Sequence, residues 1–97
     1  MQRNVDAFAQ YQFEPRVLRD VSGLDTSTTL FGRPLSMPVV IAPTGYTRIA
    51  DSQGELAVAR AADRAGIPYS LSPMGTRTIE DVAAAGNADK WFQIYTW

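Results

Sequence analysis

From Pro38 onward the chain alternates short, wholly apolar runs with amphipathic ones. Pro38-Val39-Val40-Ile41-Ala42 is continuously apolar and β-branched, the pattern of a strand buried on both faces. It stops at Pro43-Thr44-Gly45, a loop signal. Ser52-Gln53-Gly54-Glu55 fits a capping box, with Ser52 as N-cap and Glu55 three residues on, and predicts a helix from about Gly54 to Ala65. Leu56, Ala59, Ala62 and Ala65 fall on one stripe of that helix, while Arg60, Asp63 and Arg64 lie largely off it. Gly66 stands where a left-handed residue ends a helix. The cycle then repeats. Ile67 to Ser72 reads as a second strand and Pro73-Met74-Gly75 as a loop. Thr78 is placed to cap a second helix that runs to Gly86, with Glu80 and Asp81 as dipole partners in its first turn. Trp91-Phe92-Gln93-Ile94-Tyr95 reads as a third strand.

The first third is less regular. Val5 to Ala9, with Tyr11 and Phe13, predicts a short helix with an aromatic face, interrupted at Pro15. Thr28 to Phe31 and Pro34 to Ser36 flank Gly32-Arg33 in the manner of a small β-hairpin. The order from Pro38 is strand, helix, strand, helix, strand. Units of roughly 25–30 residues suit parallel strands joined by right-handed crossovers. The fold class is therefore α/β. Three parallel strands buried on both faces make a poor finished domain, and the natural completion is a (β/α)8 TIM barrel of about 250 residues. A doubly wound open sheet is the alternative. On this reading residues 1–97 are the N-terminal part of one barrel domain. A pre-barrel segment and hairpin occupy 1–37, and the first three strands and two helices occupy 38–97.

Composition narrows the function classes. The 97 residues carry a net charge of −1, so no basic excess exists to neutralise phosphates, and nucleic acid is not an expected partner. The longest aliphatic run, Val39 to Ala42, is far short of the ~20 apolar residues of a membrane helix. The first ten residues lack the apolar segment of a signal peptide. There is no Cys and no His, which excludes thiolate chemistry, disulfides and imidazole bases within these residues, and no metal site is expected.

In either α/β architecture ligands bind beyond the carboxyl ends of the strands. Those ends hold Pro43, Thr44 and Gly45, then Ser72 to Gly75, then Gln93 to Trp97. They offer small residues that let backbone approach a flat ligand, hydroxyls at Thr44 and Ser72, the Gln93 amide and the Tyr95 phenol. Gln93 and Tyr95 lie two apart on the third strand and so share a face. A Gln among Trp91, Phe92 and Ile94 needs hydrogen-bond partners, which a heteroaromatic ring with carbonyl and imide groups would supply. Plainer readings stand beside these: Ser72 closing a turn, Gln93 satisfying a neighbouring backbone, Tyr95 as a core aromatic, and Arg48 and Arg77 as solvated surface. Neither GxxxxGK[ST] nor a GxGxxG after the first strand is present, which disfavours a nicotinamide-binding half. Lys90 precedes its strand, the wrong place for a barrel Schiff-base lysine.

In register along the whole chain, these residues resemble the FMN-dependent α-hydroxy-acid dehydrogenase/oxidase family, whose members include glycolate oxidase, L-lactate dehydrogenase and mandelate dehydrogenase. The resemblance runs through Asn4 to Phe8, Pro15 to Ser22, Thr28 to Gly32, Ser36 to Pro38, Ile41 to Gly45, Gly54-Glu55, Ala59 to Ala62, Ala65-Gly66, Leu71-Ser72, Ile79 to Ala83 and Trp91 to Tyr95. It implies FMN as cofactor, with Pro43, Thr44 and Gly45 against the isoalloxazine, Ser72 hydrogen-bonded to the flavin, and Gln93 at its pyrimidine edge. Tyr95 would meet the substrate, a small L-2-hydroxy acid such as L-lactate, which leaves as the 2-oxo acid. The electron acceptor would be a quinone, a carrier or oxygen, and Gly45, where oxidases usually have Ala, favours a dehydrogenase. The resemblance places the catalytic His, the substrate-carboxylate Arg and the phosphate loops beyond Trp97, so no catalytic residue is expected within these 97. It further implies a homo-oligomer at full length, cytoplasmic or peripheral at the inner membrane face. The competing expectation is a non-catalytic truncated product, or a half-barrel that pairs with a partner chain.

Overall fold

The computed structural model describes residues 1–96; the third strand-end stretch runs to Trp97, which lies outside the described residues. In chain order the elements are helix α1 (Gln2–Phe8), strands β1 (Thr28–Leu30) and β2 (Arg33–Leu35), a 3-10 turn at Thr47–Ile49, helix α2 (Glu55–Ala65), strand β3 (Tyr69–Leu71), helix α3 (Ile79–Ala84) and strand β4 (Lys90–Phe92). The chain is α/β, with the predicted alternation after residue 38. Among the described residues no helix is long and apolar enough to cross a membrane.

β3 lies at the centre of the parallel arrangement. It pairs with β4 in the register Tyr69↔Lys90, Ser70↔Trp91 and Leu71↔Phe92. On its other side the described residues pair with it through Ile41 alone, Ile41 N–H to Pro68 O at 3.0 Å and Ser70 N–H to Ile41 O at 2.9 Å. The predicted strand Pro38–Ala42 thus contracts to one bridge. Pro38 has no N–H to give, and the Val39 N–H turns onto Met37 O at 2.8 Å, so neither joins the ladder. Expected burial on both faces fails with it, since Val39 is 46% exposed. The third strand is also shorter than predicted. One further ladder bond, Gln93 N–H to Leu71 O at 3.0 Å, follows Phe92, and Ile94 and Tyr95 lie beyond the strand. The expectation that Gln93 and Tyr95 share a strand face lapses, because the pleat that would impose it has ended.

Both helices form where predicted, but their ends differ. α2 buries Ala59 and Ala62 and stops at Gly66, which is left-handed at φ 65°, ψ 36°. Its N-cap is Gly54 (φ 60°, ψ −131°) with no side-chain cap, so Ser52 does not close a capping box. Thr78 does cap α3, its hydroxyl accepting from the Asp81 N–H at 3.1 Å, with Glu80 and Asp81 in the first turn. α3 ends at Ala84, short of Gly86, because the following loop belongs to α2. Asp63 Oδ1 accepts from the N–H groups of Asn87 (2.8 Å) and Ala88 (2.7 Å). Lys90 closes the same loop from below, donating to Gly86 O (2.6 Å) and Ala88 O (3.0 Å), a structural role.

The core is Ala59, Ala62, Ile67, Tyr69, Leu71 and Val82, with Ile41, Leu56, Val58, Ala65 and Ala85 packed against it. Alanines on the inner stripe of α2 let the helix sit close to β3. The hairpin forms with its turn one residue earlier than predicted, at Phe31 (φ 50°) and Gly32 (φ 76°). Two left-handed central residues match the twist of a two-residue hairpin, which Gly32-Arg33 would not. The hairpin is tied to the sheet end by Ser36 N–H to Gly66 O (3.1 Å), by the Ser36 hydroxyl to Ala65 O, by the Arg33–Asp89 ion pair (3.1 Å) and by Phe31 against Trp91 (5.8 Å between ring centroids). α1 forms as a short helix, but none of its residues is buried.

Candidate functional site

Because Ile41, β3 and β4 run parallel, their carboxyl ends lie along one edge. Pro43, Thr44, Gly45, Ser72, Gln93 and Tyr95 all follow this edge in the chain. Two of the loops that leave it are bonded directly: Tyr46 N–H donates to Met74 O at 3.0 Å. The approach is close enough that a Cβ on Gly45 would stand 2.9 Å from Met74 Cβ. The second loop is equally tight, since a Cβ on Gly75 would meet Leu71 Cδ1 at 2.9 Å and Ser72 O at 3.0 Å. At these positions contact with neighbouring atoms, not backbone angle, favours glycine in this chain.

Pro43 and Thr44 are exposed on the rim, and the Thr44 carbonyl accepts from the Thr47 hydroxyl at 3.3 Å. Ser72 is buried, and its hydroxyl accepts from the Met74 N–H at 3.1 Å while its carbonyl accepts from the Gly75 N–H at 2.9 Å. The plainer reading of Ser72 as a turn-closing residue therefore holds in this structure; its hydroxyl proton is still available to a ligand, because an accepting hydroxyl can also donate. Gln93 is half-buried, held beside Leu71 by the backbone ladder, and its Nε2 donates to Ile94 O at 3.2 Å. Tyr95 is 54% exposed, two residues past Gln93. Thus Gly45, Ser72 and Gln93 are gathered at adjacent strand ends, and Tyr95 stands at their margin.

Arg77 departs from the solvated-surface expectation. It is half-buried and donates to the carbonyls of Gln53 and Ser52, both at 3.3 Å, tying the entry to α2 to the loop after β3.

The residue that sequence reasoning misplaced is Glu55. It is completely buried at the first turn of α2. Its carboxylate accepts from the Thr76 N–H at 3.1 Å and from the Thr76 hydroxyl at 2.8 Å. Burial alone would push its pKa up, but bonds from its own N–H, from both Thr76 donors and from the Thr47 hydroxyl outweigh this and hold it at about 2. The carboxylate is thus ionised at any ordinary pH. Burial, and after it the Glu55 charge, raises the pKa of the neighbouring Tyr69 hydroxyl. The only local signal at Glu55 was its capping-box spacing, which named Ser52 as the partner. The true partner is 21 residues away.

The description "FMN-dependent dehydrogenase" belongs to the family whose pattern matches residues 1–97. Among curated relatives, an L-lactate dehydrogenase of Allorhizobium ampelinum is 47% identical over 95 residues, and glycolate oxidase 3 of Arabidopsis thaliana is 44% identical over 97. These alignments cover 98% and 100% of this chain but 25% and 26% of the relatives, so the chain spans about a quarter of their length. Among solved structures, a soluble mutant of the membrane-associated (S)-mandelate dehydrogenase of Pseudomonas putida superposes with a TM-score of 0.84 at 42% identity, over 97% of this chain and 27% of that one. A mandelate oxidase mutant bearing a monooxide FMN adduct gives a TM-score of 0.75 at 41% identity, over 84% of this chain and 26% of that one. With the pattern matched from end to end and two-fifths or more of the residues shared, this chain belongs to the FMN-dependent dehydrogenase family.

Proposed function

We propose that residues 1–97 form the amino-terminal part of an FMN-dependent enzyme that oxidises an L-2-hydroxy acid, L-lactate foremost, to the 2-oxo acid. In this reading Ile41, β3 and β4 begin a (β/α)8 barrel, residues 1–37 precede it, and the edge described above is one side of the flavin site. The observation that carries the reading is the gathering of Gly45, Ser72 and Gln93 at three adjacent parallel strand ends, with the first two loops bonded through Tyr46 and Met74.

The residues fit the group. Gly45 and Gly75 let the strand-end loops pack tightly on their neighbours, Gly45 on Met74 and Gly75 on Leu71 and Ser72, which makes a firm backbone edge for a flat ring to lie against. The polar groups at the edge are an amide, hydroxyls and backbone N–H groups, all uncharged and matched to the carbonyl and imide edge of an isoalloxazine. Pro43, Thr44 and Gly45 would lie against the ring, Ser72 and Gln93 would hydrogen-bond it, and Tyr95 would reach the substrate. The chemistry that bound FMN supplies is acceptance of the two electrons released when the hydroxy acid becomes a keto acid. Proton abstraction falls to a His outside these residues, since none of the 97 is His. A quinone, a carrier or oxygen would receive the electrons, and Gly45 favours a dehydrogenase. A cytoplasmic or peripheral inner-membrane location and a homo-oligomer belong to the same proposal.

A half-barrel pairing with a separate chain is a second reading, favoured by exposed apolar residues at both sides of the sheet, Val39 at 46% and Phe92 at 45%. The test is made on the intact protein that carries this chain. Gln93→Leu is expected to weaken FMN retention at least tenfold and to shift the flavin absorption bands, because an amide aimed at a polar ring edge is lost. Flavin content and spectrum equal to wild type would remove Gln93 from the site. A wild-type protein that takes up no FMN, or whose flavin L-2-hydroxy acids do not bleach, would refute the function. Flavin that appears only when a second polypeptide co-purifies would select the half-barrel.

A further inference from the structure

Among the described residues Glu55 is the one fully buried carboxylate, and the proposed chemistry leaves it unused. Its surroundings are specific. It sits at the start of α2, where the chain arrives from the loop after Ile41, and its carboxylate is bonded to Thr76 in the loop after β3, with the Thr47 hydroxyl near enough to help hold the carboxyl ionised. These loops carry Ser72–Gly75 and Pro43–Gly45. They also touch through Tyr46 N–H and Met74 O, at 3.0 Å. Gly54 lets the arrangement close, for a Cβ there would stand 2.5 Å from Arg48 Cγ and 3.3 Å from Thr76 Oγ1.

We propose that Glu55 is a positioning residue, a buried anionic clasp that holds the first two strand-end loops as one rigid platform and so sets the surface on which the flavin rests. The last clause rests on the flavin reading above; the clasp itself does not. A carboxylate suits the task because it only accepts, and the groups facing it can donate: the N–H of Glu55 itself and the N–H and hydroxyl of Thr76, beside a Thr47 hydroxyl whose one proton is shared with the Thr44 carbonyl. An amide cannot replace it without turning an NH2 group toward a donor. Among the described residues no charged side chain is paired with it, so its ionised form depends on those donors, and loss of any one loosens both loops together.

The experiment uses the intact protein with Glu55→Gln, Thr76→Val and Thr76→Ser, and Val82→Ala as a control that loosens the core without touching either loop. Amide hydrogen exchange is followed with and without FMN, and FMN affinity is measured by titrating the apoprotein. Glu55→Gln should speed exchange at least tenfold at both 44–47 and 73–77, and weaken FMN at least tenfold with an altered visible circular-dichroism band of the bound flavin. Thr76→Val should do the same to a lesser degree and Thr76→Ser should restore wild-type behaviour, while Val82→Ala lowers the melting temperature and leaves affinity and flavin band unchanged. Should Glu55→Gln fail to fold, the two Thr76 variants decide. Exchange unchanged in either loop overturns the clasp whatever the flavin does. Loosened loops with unchanged FMN affinity and flavin band overturn the flavin-setting role, and a wild-type protein that binds no FMN refutes the flavin reading itself while the exchange data still judge the clasp.

Discussion

Residues 1–34 and residues 35–96 are both rich in apolar side chains, and only the second set buries them. Val5, Phe8, Tyr11, Phe13, Val17, Leu18, Val21 and Leu24 are all at least 65% exposed, while Ala59, Ala62, Ile67, Tyr69, Leu71 and Val82 are all below 9%. The difference lies not in hydrophobicity but in reach. α2 is eleven residues long and returns the chain to a parallel neighbour, so its stripe meets a surface made by β3. α1 is seven residues long, lacks any side-chain cap and ends at Phe8, so Tyr11 and Phe13 fall outside the aromatic face expected of it, and no element among the described residues covers it. Burial is a property of pairs of surfaces, and the first region supplies only one of each pair.

The sharpest way to break this contrast is truncation within each region. Leu71→Ala should destabilise the chain by ~2–5 kcal/mol, since a side chain 4% exposed leaves a cavity among α2, α3 and the sheet. Phe13→Ala, at a residue 101% exposed, should cost less than about 0.5 kcal/mol. Protection of the Tyr69 and Ser70 amides against hydrogen exchange reads both variants in the intact protein that carries this chain. Equal losses would mean that the amino-terminal segment packs in solution.

A second contrast is electrostatic. Glu55 is held near pKa 2 in the folded chain against an ordinary 4.5, so its native-state bonds favour the ionised form. A depressed carboxylate pKa adds stability that is complete above about pH 4.5 and is lost as pH falls toward 2, because there the folded state must also take up the proton. Unfolding followed from pH 6 to 2 should show a decline of up to ~3 kcal/mol that Glu55→Gln flattens from a lower starting value. An unchanged slope in the variant would assign the decline to other carboxylates.

The smallest test compares two left-handed glycines. Gly66 (φ 65°) lies under Ser36, whose Cβ and Oγ would be 3.2 Å from an added Cβ, whereas Gly32 (φ 76°) has open space. Alanine at either site should cost ~1–2 kcal/mol for the backbone alone. Gly66→Ala should cost a few tenths more, because Ser36 must shift against its bonds to Ala65 and Gly66. Matched thermal melts of the two variants measure the increment, and equal costs would show that Ser36 gives way freely.

Much of this architecture is legible in the residues taken in order. Where a signal is local and its partner lies within a turn, the structure agrees: Thr78 caps the helix it precedes, Gly66 ends the helix it follows, and the Leu56–Ala65 stripe faces the sheet. The strand order and the loops bearing Gly45, Ser72 and Gln93 follow from the same alternation, and their register with a known family pointed to the flavin. What required the folded chain was every choice between a near partner and a distant one. Glu55 has the spacing of a capping box, but Thr76 offers an N–H and a hydroxyl to a carboxylate that is itself buried, and two partly buried bonds outweigh one at an exposed helix end. Pro38–Ala42 has strand composition, but a ladder needs aligned N–H and C=O groups from a neighbour, and on that side the described residues pair with β3 through Ile41 alone. Phe13 and Leu18 have core composition, yet no surface in these residues covers them. Periodicity, caps and glycine stops act within one turn of backbone and are therefore written in the sequence itself. Which carboxylate faces which donor, and which apolar face meets another, depends on chain segments brought together across tens of residues, and only the tertiary structure fixes that.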